Sequence, residues 1–209
     1  MNYEILIAFM FATAVLAISP GPDNIFVLVQ SLAQGKKYGI ATVAGLMTGC
    51  LVHATLLAFG VAALIKEHDY LFFVIKLFGA AYMFYLAYKV FNSPGELEIS
   101  KGTDDGRSLS ALYKQGFVMN VLNPKVGIFF LAFFPGFLFS ETLNVVVQFY
   151  VLAFIFMGVS FIIFSGIAIL SGSISKYIGS HNNLGKILKW VQIVVFVGIG
   201  IYLLLSENK

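Results

Sequence analysis

Long apolar stretches separated by short polar ones dominate the chain. A helix that crosses a membrane needs about 20 mainly apolar residues. Six segments meet that requirement: 5–33, 39–65, 70–91, 116–139, 145–170 and 187–205. The apolar runs are continuous and do not alternate at every second position, which excludes an outer-membrane barrel. The pattern therefore predicts an all-α, polytopic membrane protein with six transmembrane helices.

Proline interrupts two of the six segments. The first contains Pro20, Gly21 and Pro22, and the fourth contains Pro124. Proline removes a backbone donor and disrupts the preceding helical turn, and glycine permits unusual dihedrals. Because unpaired backbone groups at membrane depth are tolerated only next to protein or a water-filled cavity, broken helices 1 and 4 predict a polar site. The alternative is a structural kink capped by Asp23.

The aqueous stretch 92–114 divides the chain into two halves of three helices each. In each half a proline-broken helix is followed by a long uncharged helix and then by a helix with a lysine near its start. An odd number of helices per half gives the halves opposite orientations, which is the inverted repeat of many secondary transporters. We predict a single transporter domain over 1–209, with repeat one at 1–91, a cytoplasmic linker at 92–114 and repeat two at 115–209.

Composition and charge sharpen this picture. The 209 residues are 59% apolar and only 11% charged, whereas soluble domains are about 45–50% apolar and about 25% charged. That excludes a soluble enzyme and a nucleic-acid binder. Nine lysines and arginines lie in the loops after helices 1, 3 and 5, and two lie on the other face. The positive-inside rule then predicts that both termini are periplasmic.

Two charged residues occupy the predicted helix breaks, Asp23 in the first and Lys125 in the second. An ionised side chain at the bilayer centre costs at least ~2.5–3.5 kcal/mol, so such residues normally face a partner or a polar path. In an inverted repeat the two breaks meet near the midplane. Asp23 and Lys125 then either form a structural ion pair or bind substrate. In the second alternative Asp23 takes an ammonium group or a proton, and Lys125 takes a carboxylate.

Other polar residues near the breaks have two interpretations each. Asn24, Asn120 and Asn123 either replace lost backbone hydrogen bonds or contact substrate, and the freed backbone at Gly21 is a further candidate ligand. His53 is a candidate proton relay, or it forms a hydrogen bond between helices. No metal-ligand spacing and no nucleotide-binding motif occur in the sequence. We therefore expect neither a metal nor a cofactor.

Several of these motifs, in this order, resemble the LysE/RhtB family of bacterial amino acid exporters. The resemblance is carried by Ser19-Pro20-Gly21-Pro22-Asp23-Asn24, Ala44-Gly45-Leu46-x-x-Gly49 and Phe117-x-x-Asn120-x-x-Asn123-Pro124-Lys125. It implies a six-helix exporter of small amino acids in the bacterial cytoplasmic membrane, driven by the proton gradient.

The expected partners are an amino acid, protons and the lipid bilayer, and a homodimer is left open. The expected mechanism is proton antiport by alternating access. Two other functions remain open at this point. One is a cation or metal exporter of the same superfamily, and the other is a membrane scaffold or sensor subunit that transports nothing.

Overall fold

The computed structural model describes residues 2–19, 21–61, 69–93, 106–174 and 184–205. Within these ranges a π-helical turn covers Leu57–Val61 and a 3₁₀ turn covers Phe134–Phe137. The α-helices of ten or more residues are α1 (Tyr3–Ile18), α2 (Pro22–Gln34), α3 (Lys36–Leu56), α4 (Asp69–Phe91), α5 (Leu109–Val121), α6 (Pro124–Phe133), α7 (Val145–Ile169) and α8 (Leu184–Leu205). The predicted all-helical class is confirmed.

Two of the described helices, Lys36–Gly60 and Val145–Ile169, are long and apolar enough to cross a membrane. A third candidate span combines Tyr3–Ile18 with Pro22–Gln34, two helices that meet at a bend of 58°. In the predicted third and sixth spans, the apolar helical stretches are shorter: Leu77–Phe91 within α4 and Lys189–Leu205 within α8. The chain is thus a helical membrane protein with two to three candidate spans in the part that the structure describes.

Two boundaries differ from the sequence-based prediction. The second apolar segment was expected to be one helix over 39–65, but α3 changes to π-helical geometry at Leu57, and residues 62–68 lie outside the described ranges. The helix α5 begins at Leu109, inside the predicted linker 92–114, because the Ser108 side chain accepts a hydrogen bond from the Ala111 N–H and caps it. Residues 94–105 of that linker also lie outside the described ranges.

Glycines allow a close contact between α3 and α5. A Cβ atom added at Gly45 would overlap the Tyr113 carbonyl oxygen, and one added at Gly116 would overlap the Thr42 carbonyl oxygen. The two backbones therefore touch directly. The Gly45-x-x-x-Gly49 motif thus serves close helix packing.

An aromatic core lies between α1, α6 and α7. The Phe9 ring contacts the rings of Phe133, Phe134 and Phe137, with centroids 5.8, 5.1 and 5.3 Å away. Phe129 extends this cluster, since its ring stacks on that of Phe133 at 4.5 Å. The cluster packs the segment after the second helix break against the first half of the first broken helix.

The Gln148 side chain organises the turn that leads into α7. Its Oε1 accepts hydrogen bonds from the N–H groups of Phe139 and Ser140 at 2.8 and 2.9 Å. Its Nε2 donates to the carbonyl oxygens of Ser140 and Leu143, both at 2.9 Å. The residue is buried, with 1% of its surface exposed, so water cannot replace these bonds.

Replacing Gln148 by leucine is expected to destabilise the fold markedly. The change strands two buried N–H groups and two carbonyl groups, and a stranded buried group costs about 1–3 kcal/mol. We expect a loss of about 3 kcal/mol, measured by thermal and denaturant unfolding of the purified protein in detergent. Val147→Ala, an exposed neighbour on the same helix, is the control. Equal stability of the two variants would contradict this role of Gln148.

Candidate functional site

The two predicted helix breaks are present and lie side by side. The helix α1 ends at Ile18 and α2 begins at Pro22, and α5 ends at Val121 and α6 begins at Pro124. Pro20, which was also predicted to break the first helix, lies outside the described ranges. Gly21 precedes α2 in an extended conformation that any residue can adopt. Gly21 was expected to contribute unusual dihedral angles to the break, and it does not.

Asn123 connects the two breaks. Its Oδ1 accepts a hydrogen bond from the Lys125 N–H at 3.0 Å and so caps α6. An amide that accepts through its oxygen there must present its NH₂ group elsewhere. The Asn123 Nδ2 lies 3.4 Å from each carboxylate oxygen of Asp23. Asn123, which caps α6, thus also contacts the Asp23 carboxylate at the start of α2.

Asp23 and Lys125 face the same space without touching. No ion pair within 4.0 Å joins these two residues, both of which the structure describes. The Lys125 ammonium lies 5.0 Å from the centre of the Phe196 ring. It is also 3.5 Å from the position that a Cβ atom of residue 21 would take, so it rests against the Gly21 backbone. Each charge therefore keeps hydrogen-bonding capacity for a ligand.

Two side chains donate hydrogen bonds to carbonyl groups at the breaks. The Asn24 Nδ2 donates to the Ala17 carbonyl oxygen at 2.7 Å, at the end of α1. Pro124 has no N–H to offer the carbonyl of Asn120, four residues earlier, and that oxygen accepts a backbone hydrogen bond from the Asn123 N–H at 3.0 Å instead. The His53 Nε2 lies 3.0 Å from that carbonyl oxygen and donates to it, since a carbonyl only accepts. These bonds give Asn24 and His53 structural roles, and the proton relay stays a prediction.

A cavity opens between the breaks, which we call the break cavity. Its empty volume is about 550 Å³ including solvent at its mouth. It brings together Gly21 and most of the predicted polar site residues: Asp23, Asn24, Asn120, Asn123 and Lys125. The other lining residues are Leu16, Ala17, Ser19, Pro22, Met47, Cys50, Val126, Phe129, Phe156, Ser160 and Phe164. His53 is not among them.

Three polar atoms on the wall of this cavity are buried and have no hydrogen-bond partner among the residues that the structure describes. They are the Oγ atoms of Ser19 and Ser160 and the Oδ1 of Asn120. Their residues are 2%, 1% and 3% exposed. Buried polar atoms normally have partners, so unsatisfied ones indicate groups waiting for water or a ligand.

Ser19 and Ser160 were not among the residues predicted for the site. The signal for Ser160 was a polar residue inside the uncharged fifth segment, because polar groups in membrane helices usually face the protein interior. The apolar wall of Phe129, Phe156 and Phe164 had no such signal, since phenylalanine is common throughout this sequence. Among the described residues, no group of three or more His, Cys, Asp or Glu side chains is arranged to hold a metal ion.

The geometry defines a helical membrane protein with a charged cavity at two helix breaks, an arrangement found in many secondary transporters. The chain matches the model of the LysE type translocator family over residues 14–207. It belongs to this family, as the resemblance of its motifs predicted. Members of the family are translocators and not enzymes, and membership implies the cytoplasmic membrane.

Among similar proteins is a leucine efflux protein of Klebsiella pneumoniae, 30% identical over 199 residues, which are 95% of this chain and 92% of that protein. A leucine efflux protein of Salmonella typhimurium is 29% identical over 183 residues, 88% of this chain and 86% of that protein. No solved structure matches the chain significantly. The chain is thus a membrane transporter of the LysE type, related to leucine efflux proteins.

Proposed function

We propose that this protein exports an amino acid with an apolar side chain, and that leucine is the first candidate. The observation that carries the proposal is the break cavity, where Asp23 and Lys125 stand unpaired beside a wall of phenylalanines. The relationship to leucine efflux proteins supports it.

The cavity offers a group for each part of an apolar amino acid. The Lys125 ammonium and the N-terminal end of α6 suit a carboxylate, because helix N-termini attract anions. Asp23 suits the α-ammonium group, and the unpartnered oxygens of Asn120 and Ser160 can accept further hydrogen bonds from it. The rings of Phe129 and Phe156 lie beyond these polar groups and suit an aliphatic side chain.

The proposed architecture is six transmembrane helices in an inverted 3+3 repeat. The pairing of the described helices supports it. The uninterrupted helix of each half packs against the first half of the other broken helix, α3 against α5 and α7 against α1. The last helices of the two halves, α4 and α8, pack against each other. Alternating access then consists of one repeat moving against the other around the break cavity.

Proton antiport is the proposed energy source. Asp23 is the candidate proton carrier, because its carboxylate has only the long Asn123 hydrogen bonds and no cation in contact. Protonation would remove the charge that holds an ammonium group, which would release the substrate. The excess of lysine and arginine in the loops after helices 1, 3 and 5 supports an orientation with both termini in the periplasm.

Reconstitution into proteoliposomes tests this function directly. Vesicles carrying the purified protein are given an imposed pH gradient and a panel of radiolabelled amino acids. We expect gradient-dependent transport of leucine and similar aliphatic amino acids, and little transport of lysine or aspartate. Protein-free vesicles and dissipation of the gradient are the controls. Transport of cadmium or manganese in place of amino acids would overturn the proposal in favour of a cation exporter, and no transport at all would favour a scaffold.

A further inference from the structure

A second cavity lies on the other side of the helix breaks, between α4 and α8, and we call it the outer cavity. Its empty volume is about 950 Å³ including open solvent. One wall is formed by Tyr82, Leu86, Lys89 and Val90, which lie on one face of α4 at helical spacing, and by Ser93, just after the end of that helix. Gln192 and Phe196 of α8 form the opposite wall.

Four residues line both cavities and separate them: Gly21, Pro22, Asn123 and Lys125. Lys125 is therefore reachable from either side. Asp23 lines the break cavity but is not among the residues that line the outer cavity. A ligand in the outer cavity therefore contacts Lys125 but not Asp23.

The lining of the outer cavity has the chemistry of an anion site. Lys89 and Lys125 bring two positive charges, and no carboxylate is among its described lining residues. Gln192 is 8% exposed and makes no hydrogen bond to any part of the chain that the structure describes. Because Gln192 lines the cavity, its NH₂ group is available to donate to a ligand there.

We propose that the outer cavity is a loading site that binds the carboxylate of the substrate before the break cavity binds the whole zwitterion. This inference rests on the proposed amino acid transport and adds a second site to it. The carboxylate is held by Lys89, Gln192 and Lys125 in the outer cavity. It stays on Lys125 when the partition of Gly21, Pro22 and Asn123 opens, and only then does the ammonium group reach Asp23.

The test compares leucine with 4-methylpentanoate, the same carbon skeleton without the amino group. Binding of both radiolabelled compounds is measured on the purified full chain in phosphatidylcholine nanodiscs, for the wild type and for single variants. Gln192→Glu keeps the shape of the side chain and adds a negative charge. We expect it to weaken binding of both compounds about tenfold or more, since it replaces a donor to a charged group by a repelling charge.

Asp23→Asn distinguishes ligand binding in the break cavity from ligand binding in the outer cavity. It is expected to weaken leucine binding about tenfold while leaving 4-methylpentanoate binding unchanged or stronger, because the acid has no ammonium group to place on Asp23. Lys89→Gln, at the more exposed end of the cavity, is expected to weaken binding of both compounds about threefold. Lys36→Gln, which removes an equal charge from a lysine that lines neither cavity, should change neither.

Unaltered 4-methylpentanoate binding in Gln192→Glu, with the protein monodisperse and thermally stable, would overturn the loading site while leaving leucine transport intact. Failure of the wild type to transport any amino acid would instead overturn the proposed function. A lipid phosphate group has a similar charge, so the measurements are repeated in nanodiscs with phosphatidylglycerol. A Gln192→Glu effect seen only with phosphatidylglycerol would assign the cavity to lipid headgroups and overturn the loading site.

Discussion

Asp23→Asn is expected to reduce leucine transport about 10- to 100-fold at matched protein levels in the membrane. The substitution keeps the size of the side chain and removes the charge that we assign to the substrate ammonium, and a hydrogen bond to a charged group is worth about 1.5–3 kcal/mol. Transport is measured in proteoliposomes under an imposed pH gradient. Glu4→Gln removes an exposed carboxylate that lies outside the break cavity, and it should transport normally.

Exchange assays show whether Asp23→Asn loses transport because substrate binding fails or because proton coupling fails. Leucine–leucine exchange needs no net proton movement, so it reports binding and the conformational change alone. If Asp23 binds the ammonium group, Asp23→Asn loses both exchange and gradient-driven transport. If Asp23 serves only as the proton carrier, the variant keeps exchange and loses the response to the gradient.

The double variant Asp23→Leu, Lys125→Met separates a ligand site from a structural lock. Removing one member of a buried ion pair costs about 3–5 kcal/mol, and removing both can restore stability. No ion pair within 4.0 Å joins the two side chains in this structure, so we expect the double variant to fold and remain inactive. Near wild-type export by this variant would refute the substrate and proton roles of both residues.

Gly116→Ala is expected to lower the stability of the fold by about 1–3 kcal/mol or more, because one added methyl group overlaps a backbone oxygen of α3 that cannot swing away. Gly45→Ala should behave alike, since its methyl group meets the backbone of α5. The measurement is thermal unfolding of the purified protein, expected to show a drop of several degrees.

The control for these variants is Gly158→Ala on α7, where nothing lies within 4 Å of the added methyl group. Alanine is the better helix former by about 1 kcal/mol, so Gly158→Ala should be neutral or slightly stabilising. If all three alanine variants were equally stable, the direct backbone contact between α3 and α5 would be refuted. Loss of transport without loss of stability in Gly116→Ala would instead indicate that this contact changes during the transport cycle.

The helix breaks could be predicted from the sequence because their cause is local. Pro22 and Pro124 lack a backbone N–H and cannot continue a helix, whatever packs around them. The length and continuity of the apolar runs likewise predicted the all-helical class. The position of Asp23 and Lys125 at the breaks followed directly from the sequence.

The partners of the site residues could not be predicted, because they depend on contacts between distant segments. Asn120 was an ambiguous polar residue, but its carbonyl oxygen accepts from His53, 67 positions away in the sequence. Asn123 and Asp23 are 100 positions apart. A side-chain amide has the same chemistry whether it caps a helix or binds a ligand, so only its neighbours decide between the two.

The sequence by itself determined that the chain is a helical membrane protein in which proline breaks two helices, with one acid and one lysine at the breaks. Those features follow from backbone chemistry and from the cost of placing charge in lipid. Only the tertiary structure decided that the two charges share a cavity without pairing, that Asn123 links the breaks and that Lys125 lines two cavities. The reason is geometric: a cavity is the space that packed helices leave between them, and no single segment specifies that space.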